Sequence, residues 1–216
     1  MPRGAGYLLV LAALALACLP AGIASASRAY SYFAHTSVVS SDDLSAFTKW
    51  TALEPRYERE KATAESDCVE GKRCLPREWE ALLKKLEGEP VAKQMQAVND
   101  FFNAIPYVED IDNYGVQDYW ATPYEFMARG GDCEDYAIAK YFSLRRLGVP
   151  ARDMRVVIVQ DWNLNGEMHA VLEVKQKGTA YLLDNQAARV IAESNIYHYQ
   201  PLYAINEQNW WAYQSN

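Results

Sequence analysis

The hydrophobic pattern of the chain changes its period once, at Gly148 and Pro150, and this change constrains the fold more than any other feature. Before it, apolar residues recur at helical spacing and predict helices from Ser41 through Trp50, Pro76 to Leu86, Val91 to Ile105 and Asp132 to Leu147. After it, hairpin signals separate short β-branched or alternating runs, which predict strands at 155–159, 168–174, 180–183, 189–192 and 197–205. Helices followed by hairpin strands predict an α+β fold, with N-terminal helices packed on an antiparallel sheet.

The segment 107–131 shows no clear period. It is rich in Asp, Tyr and Gly and has Pro123 near its middle, so we expect a long ordered loop that leads into the helix at Asp132. A loop of this length inside a compact domain is often functional.

The first 26 residues have the pattern of a secretory signal peptide. Arg3 precedes a short apolar run from Tyr7 to Leu19, and Ala24-Ser25-Ala26 forms a small-residue cleavage site. A transmembrane anchor and a lipid anchor on Cys18 are the alternatives, although the apolar run is short for a hydrocarbon core of about 30 Å. The pattern predicts export, and it predicts that residues 27–216 form a single mature domain that does not span a membrane.

The overall charge limits the kinds of partner. The chain has 21 Lys and Arg against 28 Asp and Glu, a formal charge of −7, which argues against a broad basic face. We therefore expect no nucleic-acid partner.

The cysteines fall into two groups once the signal peptide is set aside. Cys68 and Cys74 lie six residues apart in a polar segment, and in an oxidising compartment they are a natural disulfide pair. A zinc site is the alternative, although neither a His nor a third Cys is near them in the sequence. Cys133 is then the unpaired thiol, and an unpaired Cys in an exported protein is a candidate reactive group.

Cys133 stands where a helix begins, directly after Gly130-Gly131-Asp132. The free amides and the positive end of the helix dipole favour a thiolate at this position. Asp132, Glu134 and Asp135 oppose it, because neighbouring negative charges disfavour ionisation of the thiol. An imidazolium, a bound cation or both would offset these acids; an inert buried cysteine is the alternative interpretation.

His169 and Asp184 are the candidate partners of Cys133. His169 starts the second predicted strand, and Asp184 follows the third. In a hairpin, the start of one strand lies near the end of the next, so we expect the two side chains to be neighbours. A thiol, a general base and an acid that orients the base are the parts of nucleophilic acyl transfer. A strand-end histidine and a turn-opening aspartate are the alternatives.

Three blocks of the chain resemble the bacterial transglutaminase-like cysteine peptidases of the LapG type. They are Gly131-Asp132-Cys133-Glu134-Asp135-Tyr136, Met168-His169-Ala170-Val171-Leu172 and Leu183-Asp184-Asn185, and the segment 119–126 is similar to the block upstream of the nucleophile in that family. The resemblance covers roughly 90–205. It implies a papain-like/transglutaminase-core fold with Cys133 as nucleophile, His169 as general base and Asp184 as its orienter.

The resemblance also implies a biological role. Members of this type are calcium-dependent periplasmic proteases that cleave the N-terminal region of a large surface adhesin and release biofilm cells, and an inner-membrane cyclic-di-GMP receptor sequesters them. In that family, the acids beside the nucleophile bind calcium, which corresponds here to Asp132 and Glu134, with Asp135 as an additional candidate. Clustered carboxylates are the hard oxygen ligands that Ca²⁺ prefers. Transglutaminase or amidase chemistry and a non-catalytic calcium- or peptide-binding module are the alternative functions.

Overall fold

The structure, a computed structural model, describes residues 36–63, 68 and 71–215. The predicted signal peptide, 1–26, lies outside the described residues. In the part of the chain that is described, no helix has the length and apolar character needed to cross a membrane.

Within the described residues, seven strands form one antiparallel sheet in the order β1-β7-β6-β2-β3-β4-β5. The central hairpin pairs β2 with β3, and Val159 of β2 lies opposite His169 of β3. The strands are β1 (Thr36–Ser41), β2 (Met154–Asp161), β3 (Glu167–Gln176), β4 (Thr179–Leu183), β5 (Ile191–Ala192), β6 (Tyr199–Ile205) and β7 (Trp210–Ser215).

The described α-helices precede the central hairpin, as the change of hydrophobic period predicts. They are α1 (Thr48–Thr51), α2 (Leu53–Lys61), α3 (Leu75–Leu86), α4 (Val91–Asn103), α5 (Asp110–Tyr114), α6 (Pro123–Arg129) and α7 (Cys133–Arg146). The central helix, α7, packs against β2 and β3 on one side and against α4 and α6 on the other. Because it is enclosed, apolar residues occur around its whole circumference and not along one stripe. The predicted α+β class is confirmed.

An apolar core joins these helices to one face of the sheet. Ile138 and Leu144 of α7 pack in it with Val156 of β2 and Leu172 of β3. Trp79 of α3 is fully buried in the same core. Burial of this apolar surface, at about 25 cal/mol per Å², is the main force that holds α7 against the hairpin.

Helix α2 holds the segment that leads into α6. The Arg56 guanidinium donates to the Trp120 carbonyl and to the Tyr119 hydroxyl, while Glu60 accepts a hydrogen bond from the Thr122 hydroxyl. Thr122 is in turn the N-cap of α6. The segment 119–122 is therefore fixed from the N-terminal side of the molecule.

Three sequence-based assignments need correction. The segment 107–131 is not one long loop, because it contains α5 and α6, and Pro123 is the first residue of α6. Each of the two helices is too short to show a helical period. The helix expected from Ser41 begins at Thr48, since the acidic residues before it form turns in which Asp43 accepts from the Ser45 amide. Helix α2 and strands β1 and β7 were not predicted; the aromatic run of β7 pairs with β1 on one side and with β6 on the other.

Cys68 and Cys74 form a disulfide, with their Cα atoms 5.5 Å apart. The predicted pairing is confirmed, and Cys133 is a free thiol. Cys74 immediately precedes α3, so the disulfide closes a small loop within the segment that connects α2 to α3.

Candidate active site

Cys133 is the first residue of α7, and its side chain is half-buried. The amides of a first helical turn have no partner inside the helix, so this position offers hydrogen-bond donors and the positive end of the dipole. Helix α7 packs against β3, and His169 is the first buried residue of that strand.

His169 and Asp184 lie side by side, as the hairpin geometry requires. His169 Nε2 is 2.9 Å from Asp184 Oδ1, and both side chains are buried. Since an ionised carboxylate only accepts, Nε2 donates to Asp184, which leaves Nδ1 as the ring nitrogen available for proton transfer. The side-chain nitrogen of Gln186 lies 3.4 Å from Nδ1.

Asp184 is held as a carboxylate by its hydrogen bonds. Burial by itself raises its pKa, but His169, the Tyr199 hydroxyl and the Gln186 amide outweigh the burial and hold the pKa of Asp184 below its ordinary value. The Tyr199 hydroxyl donates to Oδ2 at 2.6 Å, and the Gln186 amide donates to Oδ1 at 2.8 Å. Both carboxylate oxygens are therefore engaged, which fixes the plane of the group that faces His169.

The Cys133 thiol lies next to this pair. Burial raises the pKa of the Cys133 thiol, and the backbone amide of Ala170, the residue after His169, opposes that rise in part as a donor to the sulfur. Burial raises the pKa of Tyr199, and the charge of Asp184 raises it further. The structure thus pairs His169 with Asp184, places Cys133 beside the strand that carries His169, and adds Tyr199 and Gln186 as partners of Asp184.

In the absence of a cation, the surroundings of Cys133 favour the thiol form. Burial raises its pKa well above the ordinary value, and the charges of Glu134 and Asp132 raise it further. The thiol is 3.3 Å from Glu134 Oε2, to which it can donate. A thiolate at this position therefore needs a positive charge close to these acids.

The acids beside Cys133 belong to a larger cluster of five carboxylates. One oxygen each of Asp110, Asp132 and Asp135 lie within 4.8 Å of one another, and the same holds for Asp110, Asp118 and Glu134. Asp132 and Glu134 were predicted as metal ligands, and Asp135 was an additional candidate. Asp110 and Asp118 come from the segment that lacks a sequence period, so the sequence alone gave no signal that distinguishes them from other surface acids.

Buried oxygens in this cluster lack hydrogen-bond partners. Asp110 Oδ1, Asp132 Oδ1 and Asp135 Oδ2 are buried, and none has a partner in the described part of the chain. Asp135 Oδ1, by contrast, accepts from the Ala121 amide at 2.7 Å. Buried carboxylate oxygens without partners are costly unless a cation or a proton compensates them.

Burial and mutual repulsion raise the pKa values of these acids. Burial is the largest cause in each case, and it combines with neighbouring carboxylates to raise the pKa of Asp132 to about 9. The pKa values of Asp110, Glu134 and Asp135 are raised for the same reasons. Asp132 is the N-cap residue of α7, yet its side chain makes no capping hydrogen bond, so helix capping does not account for it.

The absence of a side chain at Gly131 leaves room for the buried side chain of Asp135. A Cβ at position 131 would lie 2.1 Å from Asp135 Oδ2 and 2.9 Å from its Cβ. We expect Gly131→Ala to lower the free energy of unfolding by about 3 kcal/mol, because it displaces a buried side chain in a packed site. Chemical denaturation measures this change.

Gly178→Ala is the matched control for Gly131→Ala. Gly178 lies in the β3–β4 turn with open space around it and φ +83°, so alanine there is expected to cost only about 1 kcal/mol for its backbone conformation. Equal losses in the two variants would contradict the steric role of Gly131.

Comparison with known proteins assigns the chain to a family. A model of the bacterial transglutaminase-like cysteine proteinases matches residues 66–216. The chain belongs to this family. The resemblance seen in the sequence is confirmed, and the protein is a cysteine peptidase, a hydrolase whose substrates are proteins.

Solved structures of this cysteine proteinase type resemble the chain closely. Calcium-bound LapG of Legionella pneumophila is 32% identical, with a TM-score of 0.63 over 72% of this chain and 87% of that chain. EGTA-treated LapG of the same organism is also 32% identical, with a TM-score of 0.63 over 72% of this chain and 84% of that chain. The comparison with curated proteins returned no match. The transglutaminase-like fold is confirmed.

Proposed function

We propose that this peptidase cleaves its substrate through a Cys133 acyl-enzyme, with His169 as general base and Asp184 as the group that orients it. The observation that carries the proposal is the buried His169–Asp184 hydrogen bond of 2.9 Å, together with the bond from the Ala170 amide to the Cys133 sulfur. These contacts support the roles of nucleophile, general base and orienter for Cys133, His169 and Asp184.

The reaction follows from the positions of the protons. The lone pair on His169 Nδ1 takes the proton of the Cys133 thiol, and the sulfur attacks the carbonyl carbon of the scissile peptide bond. The Cys133 amide, free at the first turn of α7, donates to the resulting oxyanion. His169 then gives its proton to the leaving amine, which breaks the C–N bond and leaves a thioester. Water, deprotonated by His169, hydrolyses the thioester and restores the thiol.

We propose that calcium binds the five-carboxylate cluster, which fits the ion by its chemistry. Asp110, Asp132 and Asp135 supply buried oxygens without partners, and Glu134 and Asp118 add two more carboxylates at the same place. Bound there, the ion supplies positive charge, which lowers the pKa values of the acids and of the neighbouring thiol. Calcium-bound and EGTA-treated structures of the Legionella pneumophila relative support the assignment.

We further propose that the enzyme works in the periplasm on the N-terminal region of a large surface adhesin, under control of an inner-membrane cyclic-di-GMP receptor. The signal-peptide pattern over 1–26 and the Cys68–Cys74 disulfide, which requires an oxidising compartment, support export. The family resemblance supports the class of substrate and the receptor.

The test is a cleavage experiment with product analysis. Residues 27–216 are incubated with the N-terminal regions of candidate large exported proteins, in calcium and in excess chelator, and new N-termini are sequenced. We expect a defined internal cleavage that requires calcium. An amide product formed with an added amine, without a new N-terminus, would indicate acyl transfer instead, and the absence of both products would contradict an enzyme acting on these substrates.

A further inference from the structure

Tyr199 reaches the proposed catalytic residues from a distant strand. It is the first residue of β6, and β6 lies on the far side of β2 from the β3–β4 hairpin. Its backbone pairs with Asp161 of β2, yet its hydroxyl donates to Asp184 Oδ2 at 2.6 Å. The contact therefore joins two elements that β2 and β3 separate in the sheet.

The Tyr199 side chain contacts both members of the His169–Asp184 pair. Its ring packs against the His169 imidazole, with the ring centres 5.7 Å apart and the ring planes at 47°. Its hydroxyl binds Asp184, and all three side chains are buried. Hydrogen bonds and ring contacts that are shielded from water in this way are stronger than the same contacts at the surface.

Packing alone does not account for the hydroxyl of Tyr199. The side chain belongs to an apolar cluster with Val159, Val171 and Leu182, on the sheet face opposite α7. Phenylalanine would fill the same volume in this cluster, whereas a buried hydroxyl is unfavourable unless it is hydrogen-bonded. The partner that satisfies the hydroxyl is the Asp184 carboxylate.

Tyr199 differs from the other donors to Asp184 in the oxygen that it holds. His169 Nε2 and the Gln186 amide both approach Oδ1, at 2.9 and 2.8 Å. Among the described residues, the Tyr199 hydroxyl is the donor to Oδ2. A carboxylate held at one oxygen can rotate about its Cβ–Cγ bond, whereas one held at both oxygens must break a hydrogen bond to do so.

We propose that Tyr199 is a positioning residue for proteolysis: its hydroxyl prevents rotation of the Asp184 carboxylate, and its ring fixes the plane of the His169 imidazole. This inference rests on the catalytic roles proposed above for His169 and Asp184. Tyr199 makes and breaks no bond to the substrate. It acts through Asp184 and His169 on the direction in which Nδ1 is presented for proton transfer.

Two substitutions separate the hydroxyl from the ring. Tyr199→Phe removes the hydroxyl and keeps the ring, and we expect kcat to fall about tenfold with KM unchanged, because alignment of the base is lost and substrate binding is not. Tyr199→Leu removes the ring as well and is expected to lower kcat about 100-fold. A wild-type kcat in Tyr199→Phe, or a raised KM with kcat unchanged, would overturn the proposal.

Two further variants test whether the hydroxyl acts through Asp184. Tyr197→Phe makes the same change two residues earlier, on a side chain that is 88% exposed, and is expected to keep wild-type kinetics. In an Asp184→Asn background, Tyr199→Phe should lower kcat no further, since the carboxylate on which the hydroxyl acts has been removed. A further tenfold loss in that background would overturn the proposal, as would an equal loss in Tyr197→Phe.

A measurement on His169 itself does not depend on peptidase activity. Proton NMR of histidine-labelled protein follows the Nε2 proton between His169 and Asp184, which we expect to broaden in Tyr199→Phe through faster exchange with water and to stay sharp in Tyr197→Phe. If Tyr199→Phe does not fold, a fluorotyrosine at position 199 keeps the shape of the side chain. Its hydroxyl is a stronger donor to Oδ2, so the signal should move to higher field as Oδ1 loses charge.

The two readouts distinguish this proposal from the proposed function. A His169 signal that responds to neither change at position 199 would overturn the positioning role even if the enzyme is active. An inactive wild type whose His169 signal responds to these changes would instead overturn the proposed function.

Discussion

Replacing Cys133 with alanine is expected to abolish cleavage, with a loss of about 10⁴-fold or more in kcat/KM. The sulfur is the only protein nucleophile that the proposed reaction uses, and neither His169 nor Asp184 can form the thioester in its place. Alanine fits the half-buried first position of α7 without strain. We therefore expect thermal unfolding of the variant to match that of the wild type, so that loss of activity is separated from loss of the fold.

The role of His169 as general base is tested by comparing alanine variants of His169 and His198. His169→Ala should cost a comparable factor and should also suppress labelling of Cys133 by a thiol-directed electrophile, because the thiol then has no partner to take its proton. His198→Ala is the control, since Nε2 of this side chain faces Asp161 Oδ1 at 3.9 Å and not Asp184. Undiminished cleavage by Cys133→Ala would disprove the assignment of the nucleophile, and equal losses from the two histidine variants would remove the special role of His169.

Removal of calcium is expected to give the second large effect, a loss of activity of about 100-fold or more in excess chelator. Without the ion, burial and the charges of Glu134 and Asp132 hold the pKa of the Cys133 thiol well above its ordinary value, so little thiolate forms near neutral pH. Calcium at 100 times its dissociation constant should also stabilise the fold by about 2.7 kcal/mol. Activity and thermal unfolding, each measured in calcium and in chelator, test both statements.

The pH dependence in chelator has a definite sign. Burial and its neighbours raise the pKa of Asp132 to about 9 in the folded chain, whereas in an unfolded chain it titrates near 4. The folded state therefore keeps a proton that the unfolded state releases, and stability should fall as pH rises from about 4 towards 9. Calcium binds the ionised form, so this slope should flatten when the ion is present.

Two aspartates on α5 provide a matched comparison for the ion. Asp110 is buried within the carboxylate cluster, whereas Asp112, two residues later, is exposed. Asp110→Asn should weaken calcium binding about tenfold or more, and Asp112→Asn should leave it unchanged; calorimetric titration measures both affinities. Identical melting temperatures in calcium and chelator would contradict the metal site.

The parts of the site that the sequence could predict are those fixed by local patterns. Cys133 follows a glycine pair at a helix start, and the register of a hairpin is enough to bring His169 to Asp184. Both inferences need only a few neighbouring residues and the geometry of one regular element.

The parts that the sequence could not predict depend on contacts between distant segments. Asp110 and Asp118 reach the cluster only because α5 and the chain after it fold back across the start of α7, where the Val108 amide donates to the Gly131 carbonyl at 2.9 Å. Tyr199 looked like any tyrosine in a strand, and its contact with Asp184 depends on the sheet order that brings β6 beside β2. Such positions carry no local signature, because propensity and period are properties of near neighbours.

The hydrogen bonds between α2 and the segment 119–122 bear on where the N-terminal boundary of the folded domain lies. The family match begins at residue 66, which excludes β1, α1 and α2. Yet Arg56 and Glu60 hold the stretch in which the Ala121 amide binds Asp135, and Trp50 fills the core beside Tyr141. A fragment that begins at residue 66 would keep every proposed catalytic residue, but it would lose the contacts of Arg56 and Glu60 that support the acidic cluster. The region that matches the family, residues 66–216, is therefore shorter than the region that we expect a stable, active enzyme to need.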